Sequence, residues 1–555
     1  MSTQVLVREE RSSRALAACR RIPVGLLAVA ILALPYLGFL GSHRLWAPFE
    51  PELVETAREM RASGNLVVPC LNGRVFADKP PLYYWSALTA ASARGRLDET
   101  AARLPSAISL LLLVYVTATF GERFLGRRAG FLAGLVFGSM PLCFNCGTSG
   151  MCDMPLALAV TAANFAIYVA TCEGKPRGWA LVVAGALAGV SMLAKSVLGP
   201  VLIVLATVPA LAMDKDRRLP GLRWWLAGVA AFVVVVLPWF VAIGAIEGRG
   251  FLFEVLVHQT FDRFVGRGDS KGAFFNYLGT VPGDIFPWTI FIPLGVVHAV
   301  RARRTDPERW RKLRFLLVGI GVELLFLSVS KCRIDKYALP LLPQIALFLA
   351  CALDAEGAGI ERRLATIPAI GLAALVPVAA VALAFYIPAH YPAVADTAAL
   401  GIALALPGGV ALYFLARTAP ASRIAGGLAL LLVAVMTFVG WLIYPAVDTI
   451  RTNQSLEQAI VTNVGPGTPY ASYGLGTRAR IIFYTERTNK EFFSVDELAR
   501  WIDSFEPRNA YVLTKDAYYY QLAEAPALTH RVEVVGRNPP GVGDDDFCLV
   551  RVRAR

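Results

Sequence analysis

Two kinds of residue in this chain of 555 could do chemistry. The first are acids. Glu50 and Glu52 open a long polar stretch, Trp46 to Trp85, and Asp153 opens an apolar run in Cys152-Asp153-Met154-Pro155-Leu156. A carboxylate can take a proton from an attacking group, the task of a general base. The second are cations beside or between apolar runs: Lys79, Lys195, Arg263, Lys331, Arg333 and Lys336. Fixed positive charge stabilises an anion as it departs. Each group has a structural alternative. Asp153 could cap a helix and favour its dipole, and Glu50 could be a solvated acid. Lys195 could snorkel to an interface, although a lysine at membrane depth is costly and by default functional. The Lys331–Lys336 segment could be a solvated loop.

The elements that must position these residues are set by composition. The chain is 56% hydrophobic, above the share of a soluble domain. Apolar runs of roughly 20 residues recur, the length that crosses a bilayer as a helix. Runs fall at Val24 to Leu40, 103–120, 129–142, 154–171, 179–194, 198–213 and 224–245, then at 284–300, 315–330, 337–352, 364–388, 396–416 and 424–445. The expected fold is therefore mainly α: a polytopic membrane helix bundle of about 13 transmembrane helices, with juxtamembrane helices on the outer side. The pair around Lys195 could be one broken helix.

The net charge of +13 would suit nucleic acid, but the basic residues sit in short loops between apolar runs. With the N-terminus in the cytoplasm, alternation puts on the inner side Arg123, Arg127 and Arg128; Lys175 and Arg177; and Lys215, Arg217, Arg218 and Arg223. The dense run Arg301 to Arg314, the pair Arg362 and Arg363, and the pair Arg417 and Arg423 fall there too. This is the positive-inside distribution, and it excludes a nucleic-acid partner in favour of membrane lipids. The outer side then holds Trp46–Trp85, Asp153, His258, Lys331 and the C-terminus. Cys143, Cys146 and Cys152 read as small core residues, because one CxxC without a second pair is a weak metal or disulfide signal.

The first outer loop, 43–102, is more than a connector. Pro51 can start a helix, Gly64-Asn65 stops it, and Asp78-Lys79-Pro80-Pro81 opens a second helix. After residue 449 the composition turns polar. Strand-like runs at Ile481–Tyr484, Ala510–Leu513, Arg531–Val535 and Phe547–Val552 join helical patterns at Ser455–Val464 and Val495–Phe505. The expected division is a transmembrane part, 1–449, and a small soluble α/β domain, 450–555. Asn453-Gln454-Ser455 is a glycosylation sequon by pattern.

Ala57-Arg58-Glu59-Met60, Asn72-Gly73 and Asp78-Lys79-Pro80-Pro81-Leu82-Tyr83-Tyr84-Trp85 agree in order and spacing with a known pattern. They resemble the first outer loop of membrane glycosyltransferases of the GT-C superfamily, which use polyprenyl-phosphate sugars. That superfamily includes the aminoarabinose transferases acting on lipid A and the protein mannosyltransferases. The resemblance covers roughly residues 40–350. It implies transfer of a sugar from a polyprenyl (undecaprenyl) phosphate to a lipid A, glycan or protein acceptor, at the periplasmic face of a bacterial inner membrane. It implies Glu50 and Asp153 as the catalytic acids and the six cations as the donor-phosphate site. Glu52, Arg58, Tyr83, Tyr84 and Tyr337 would line the substrate cavity. Ser330-Lys331 through Lys336-Tyr337-Ala338-Leu339-Pro340 is similar to a second block of the family, and Glu254 to Phe264 to a third. In some relatives the His of the third block and an acid at the Asp78 position hold zinc, which would make Asp78 and His258 metal ligands. His258 could equally be a hydrogen-bonded partner. One departure is plain: where aminoarabinose transferases carry Asp-Glu, this chain has Phe49-Glu50, and where an Arg-Tyr pair follows, it has Glu52-Leu53.

A secondary transporter would also explain spans and buried charge, but it should show inverted repeats and paired broken helices. A divergent relative with a binding role is the other alternative. The topology is directly testable: a reporter fused after Arg555 should be active only in its exported form, and cytoplasmic activity would reverse the orientation.

Overall fold

The computed structural model describes residues 22–262, 276–331, 334–355, 357–390, 395–505, 509–539 and 546–553. Every apolar run named above falls largely on helix, with Ser139-Met140 and 285–287 as breaks inside two of them. Among the described residues, eight helices are long and apolar enough to cross a membrane, or up to ten if two bent pairs each count as one span. The bent pairs are Arg127–Gly138 with Pro141–Gly147, at 64°, and Asn276–Asp284 with Trp288–Thr305, at 104°. Val24–Leu37 and Leu198–Met213 are shorter apolar helices, and Pro307–Val329 has charged first turns.

Six helices position the site. α1 (Phe49–Ser63) and α2 (Leu82–Arg94) belong to the first outer loop. α1 ends at Gly64, whose φ of 70° is the left-handed stop that glycine allows. Between them β1 (Cys70–Leu71) and β2 (Arg74–Val75) form a small hairpin. α3 (Glu99–Leu125), α4 (Asp153–Thr171), α5 (Gly178–Lys195) and α6 (Leu222–Phe253) are bundle helices. The chain does break after Lys195: Ser196 has φ 56°, and its hydroxyl donates to the Val255 carbonyl at 3.0 Å. α5 and α6 approach through glycine. A Cβ built on Gly185 would lie 1.9 Å from the Gly228 carbonyl oxygen. Small residues at such a crossing let backbones meet where no hydrophobic drive separates helix from lipid.

The C-terminal residues build a five-stranded sheet in the order β4-β3-β5-β7-β6. Its strands are β3 (Tyr470–Tyr473), β4 (Lys490–Phe492), β5 (Ala510–Lys515), β6 (Val532–Arg537) and β7 (Phe547–Val552). β4, β3 and β5 are parallel, and β5, β7 and β6 are antiparallel. One expected strand is corrected. Ile481–Tyr484 lies in a helix, α7 (Ala479–Thr485). Four apolar residues fit either period, and here tertiary packing decides: Phe483 joins Leu53, Val54 and Tyr83 of the outer loop in one apolar cluster.

The sheet unit is tied to the first outer loop. The Leu45 N–H donates to the Tyr484 hydroxyl at 2.7 Å, and that hydroxyl donates to Glu99 at 2.8 Å. Asn72 donates to the Asn489 carbonyl and to Glu491, and Arg44 pairs with Glu457 at 2.6 Å. Asn453 is buried and accepts a 2.6 Å hydrogen bond from Asn538, so its sequon is not presented for modification.

The glycine crossing generates a prediction. Gly185→Ala should lower the thermal stability of the detergent-solubilised protein by about 1–3 kcal/mol, the usual cost of overpacking. Gly426→Ala, where a Cβ meets nothing within 4 Å, should not. Equal melting temperatures for both variants would refute the tight crossing.

Candidate functional site

The helical period assigns the acids of α1 to opposite faces. Residues three apart share a face, so Phe49 and Glu52 look one way while Glu50 turns inward. Phe49 and Glu52 line a cavity of about 470 Å³. Its other walls are Asp78 and Lys79 before α2, Asp153 and Lys195 at the facing ends of α4 and α5, Glu254 beyond α6, and Lys336 with Tyr337. Loops far apart in sequence thus meet in one charged chamber.

Its charges are mostly paired. Lys195 Nζ donates to Asp153 Oδ1 and lies 4.4 Å from the centre of the Tyr337 ring. Both members of that pair are largely buried, so Lys195 does not snorkel and Asp153 does more than favour a helix dipole. Lys79 pairs with Asp78 at 2.9 Å. Lys336 differs. Among the described residues it has no carboxylate partner; its Nζ lies 2.8 Å from Met151 Sδ and 5.4 Å from the centre of the Phe49 ring. The Phe49 ring therefore faces a lysine.

Glu50, the expected catalytic acid of α1, lies outside this cavity. It accepts four hydrogen bonds: from Arg103 Nε at 2.7 Å, Arg103 Nη2 at 3.0 Å, and the N–H groups of Gly150 at 2.7 Å and Trp46 at 3.1 Å. Burial alone would raise its pKa; the charge and hydrogen bonds of Arg103 outweigh burial and hold it below its ordinary 4.5. A carboxylate so saturated is a poor proton acceptor and a good structural anchor. Arg103 was missed in the sequence reading. The available signal was an arginine inside the first turns of an apolar helix, which needs a named partner.

The remaining expected residues separate. Arg58 is held by Glu55 through two hydrogen bonds of 2.7 and 2.6 Å and does not line the cavity. Tyr83 is buried and donates to the Ala102 carbonyl at 3.0 Å, and Tyr84 is buried beside it; both pack in one apolar cluster with residues of α1 and α3 and do not line the cavity. Lys331 is exposed and outside the cavity wall. Arg263 and Arg333 lie outside the described residues. For zinc the fit fails. Asp78 lines the cavity, but His258 is exposed with its ring edge-on to Phe253 at 5.1 Å. Among the described residues no three His, Cys, Asp or Glu groups come together, whereas zinc takes three or four protein ligands. Cys143, Cys146 and Cys152 are free and buried.

The described residues thus form a bundle of apolar helices with a charged chamber under a structured loop. The structure matches that of ArnT from Cupriavidus metallidurans bound to undecaprenyl phosphate with a TM-score of 0.79, at 22% identity, over 95% of this chain and 97% of that one. The fold is the same. Residues 78–241 match the family model described as dolichyl-phosphate-mannose-protein mannosyltransferase. The chain is 30% identical over 341 residues to undecaprenyl phosphate-alpha-4-amino-4-deoxy-L-arabinose arabinosyl transferase 2 of Proteus mirabilis, covering 60% of each. It is 31% identical over 333 residues to the corresponding transferase 1 of Sodalis glossinidius, covering 59% of this chain and 58% of that one. The matched stretch thus spans about 60% of these curated relatives. The resemblance read in the outer loop holds in sequence and in fold.

Glu50 generates the prediction here. Glu50→Gln leaves the buried Arg103 charge without its counter-ion, a loss of about 3–5 kcal/mol, visible as a lower melting temperature. A depressed carboxylate pKa adds stability that is complete above the ordinary value of 4.5 and is lost as pH falls through the folded-state value. The difference between wild type and Glu50→Gln should therefore shrink on acidification below that pH. A pH-independent difference would remove the ion pair as its cause.

Proposed function

We propose that the chain is an integral membrane glycosyltransferase. It moves a sugar from a polyprenyl (undecaprenyl) phosphate to a lipid A, glycan or protein acceptor at the periplasmic face of a bacterial inner membrane. The observation that carries this reading is Lys336, which has no carboxylate partner among the described residues and shares a cavity with Lys79, Lys195, Glu52 and Asp153. An uncompensated lysine beside acids suits an anionic donor and a deprotonated acceptor at one place.

In the proposed step the acceptor O–H or N–H attacks the anomeric carbon and its proton passes to a carboxylate. The new bond to the sugar forms as the bond from the anomeric carbon to the phosphate oxygen breaks. The electron pair of the broken bond leaves with polyprenyl phosphate, which gains negative charge. Lys336 and Lys79 meet that charge, and Lys195 holds Asp153 in place. Glu52, one turn along α1 from Phe49, takes the role of base. Arg263 and Arg333 belong to the proposed phosphate site by their sequence blocks.

The proposed topology has thirteen crossings, a cytoplasmic N-terminus and 450–555 as a periplasmic unit. It is supported by charge at the helix ends. Arg103 and Asp153 stand at the cavity ends of α3 and α4, while Arg123 pairs with Glu173 at 2.9 Å at their far ends.

Transfer from a synthetic polyprenyl-phosphate sugar, measured in purified Lys336→Met and Glu52→Gln, tests the reading. Loss of one preorganised charge at a transition state costs on the order of a hundredfold in rate, and both variants should keep the wild-type melting temperature. Wild-type turnover in both would place the chemistry elsewhere.

A further inference from the structure

The proposed reaction makes no use of Glu323. This acid sits in the apolar part of the helix Pro307–Val329 with none of its surface exposed. Among the described residues neither of its carboxylate oxygens has a partner in full hydrogen-bond geometry. No charged side chain faces it there; its polar neighbour is the Gln344 amide, which approaches as a donor. A bare carboxylate brought from water into such a setting is so costly that it takes up a counter-charge instead.

Other polar groups lie at the same depth. Gln344 is buried in the candidate span Asp335–Asp354. Its Oε1 occupies the space that a side chain at Gly319 would fill, and the Ala206 carbonyl oxygen of the helix Leu198–Met213 is 3.6 Å from that place. Asn164 of α4 is buried too, and both its amide atoms lack partners among the described residues. Its depth follows from Thr161, whose hydroxyl donates to the Pro340 carbonyl at 3.5 Å. Asp153 and Tyr337 line the chamber, so α4 and the span Asp335–Asp354 both lead away from it. Asn164 comes three residues after Thr161 and Gln344 four after Pro340, which sets both roughly 5 Å further down.

From this placement we infer that Glu323, with Gln344 and Asn164, forms an intramembrane site for one monovalent cation, a proton or a sodium ion. Either one neutralises the carboxylate. A proton makes Glu323 an O–H donor, and the Asn164 carbonyl is an acceptor at its level. A sodium ion takes oxygen ligands, as hard cations do, and Glu323 and Asn164 supply them. The Gln344 amide donates to the carboxyl in both cases. A divalent ion does not suit the site, because one carboxylate leaves its second charge buried and uncompensated. The site does not depend on the transferase reading, but it stands where it bears on the chamber. Lys336 and Tyr337 belong to the segment 330–341, which joins the helix of Glu323 to that of Gln344. A neutral Glu323 lets those two helices close directly beneath them.

Infrared difference spectra of the full-length protein in lipid nanodiscs, wild type minus Glu323→Gln, read the carboxyl group directly at neutral pH. Two results support the site and tell its sources apart. The carbonyl stretch of a protonated acid, unchanged by sodium, identifies the cation as a proton. A carboxylate band that shifts when sodium chloride replaces choline chloride at constant ionic strength identifies it as sodium. In that case radioactive sodium should bind to wild type, and Glu323→Gln should lose the binding. A carboxylate band that ignores sodium overturns the site. Gln344→Leu removes the donor beside the carboxyl and should displace whichever band is seen; a band left in place refutes the arrangement. Should Glu323→Gln fail to fold by its size-exclusion profile, the difference between wild type and Gln344→Leu decides. A displaced acid band, or a displaced band that responds to sodium, supports the site, and no displacement refutes it.

Discussion

Arg103 brings a full charge into the outer end of an apolar helix and leaves none of its surface exposed. It is held there by using all five guanidinium N–H groups: two on Glu50, two on the carbonyls of Leu40 and His43, and one on the carbonyl of Arg44. The first outer loop is thereby bolted to the bundle at its root. Removing two charges from water is expensive, and such a pair gives specificity of arrangement more dependably than net stability. Here the arrangement is the orientation of α1. With Glu50 locked inward, the helical period leaves Phe49 and Glu52 no other direction than the chamber.

The chamber then inherits a nearly balanced set of charges. Asp153 with Lys195 and Asp78 with Lys79 are neutral as pairs, which limits the cost of holding them at partly buried positions. Lys336 has only a thioether and an aromatic face among the described residues. Those groups are weak competitors for a cation, which leaves Lys336 the least compensated lysine of the chamber wall among the described residues.

Much of this was legible in the residues. The apolar period gave the helices, and the blocks around Lys79, Asp153, Lys195 and Lys336 named walls of one cavity. What could not be read was direction. Glu50 and Glu52 differ by two positions, and only the rotation of α1 against Arg103 says which faces the chamber. Tyr83 and Tyr84 carry the strongest motif yet serve packing, because aromatic bodies of that size fill the space between α2 and α3. Ile481–Tyr484 was misread as a strand for a related reason: a short apolar run takes the conformation its neighbour imposes, and the neighbour, α1, is more than four hundred residues away. The strand Tyr470–Tyr473 was missed because it is buried along its whole length and shows no alternation.

The seam between the outer loop and the sheet unit bears on how the molecule is made. Leu45, Arg44 and Asn72 are synthesised early, and their partners Tyr484, Glu457 and Asn489 come near the end of the chain. Contacts of such sequence separation close slowly, since a long loop must be ordered before they form. Before those partners exist the loop rests on its contacts with the helix bundle, through Arg103, Gly150 and Ala102, and its tip is fastened only when the last segment has folded. The chamber's walls all come from residues 49–337, so they are made before the seam that fastens the loop's tip.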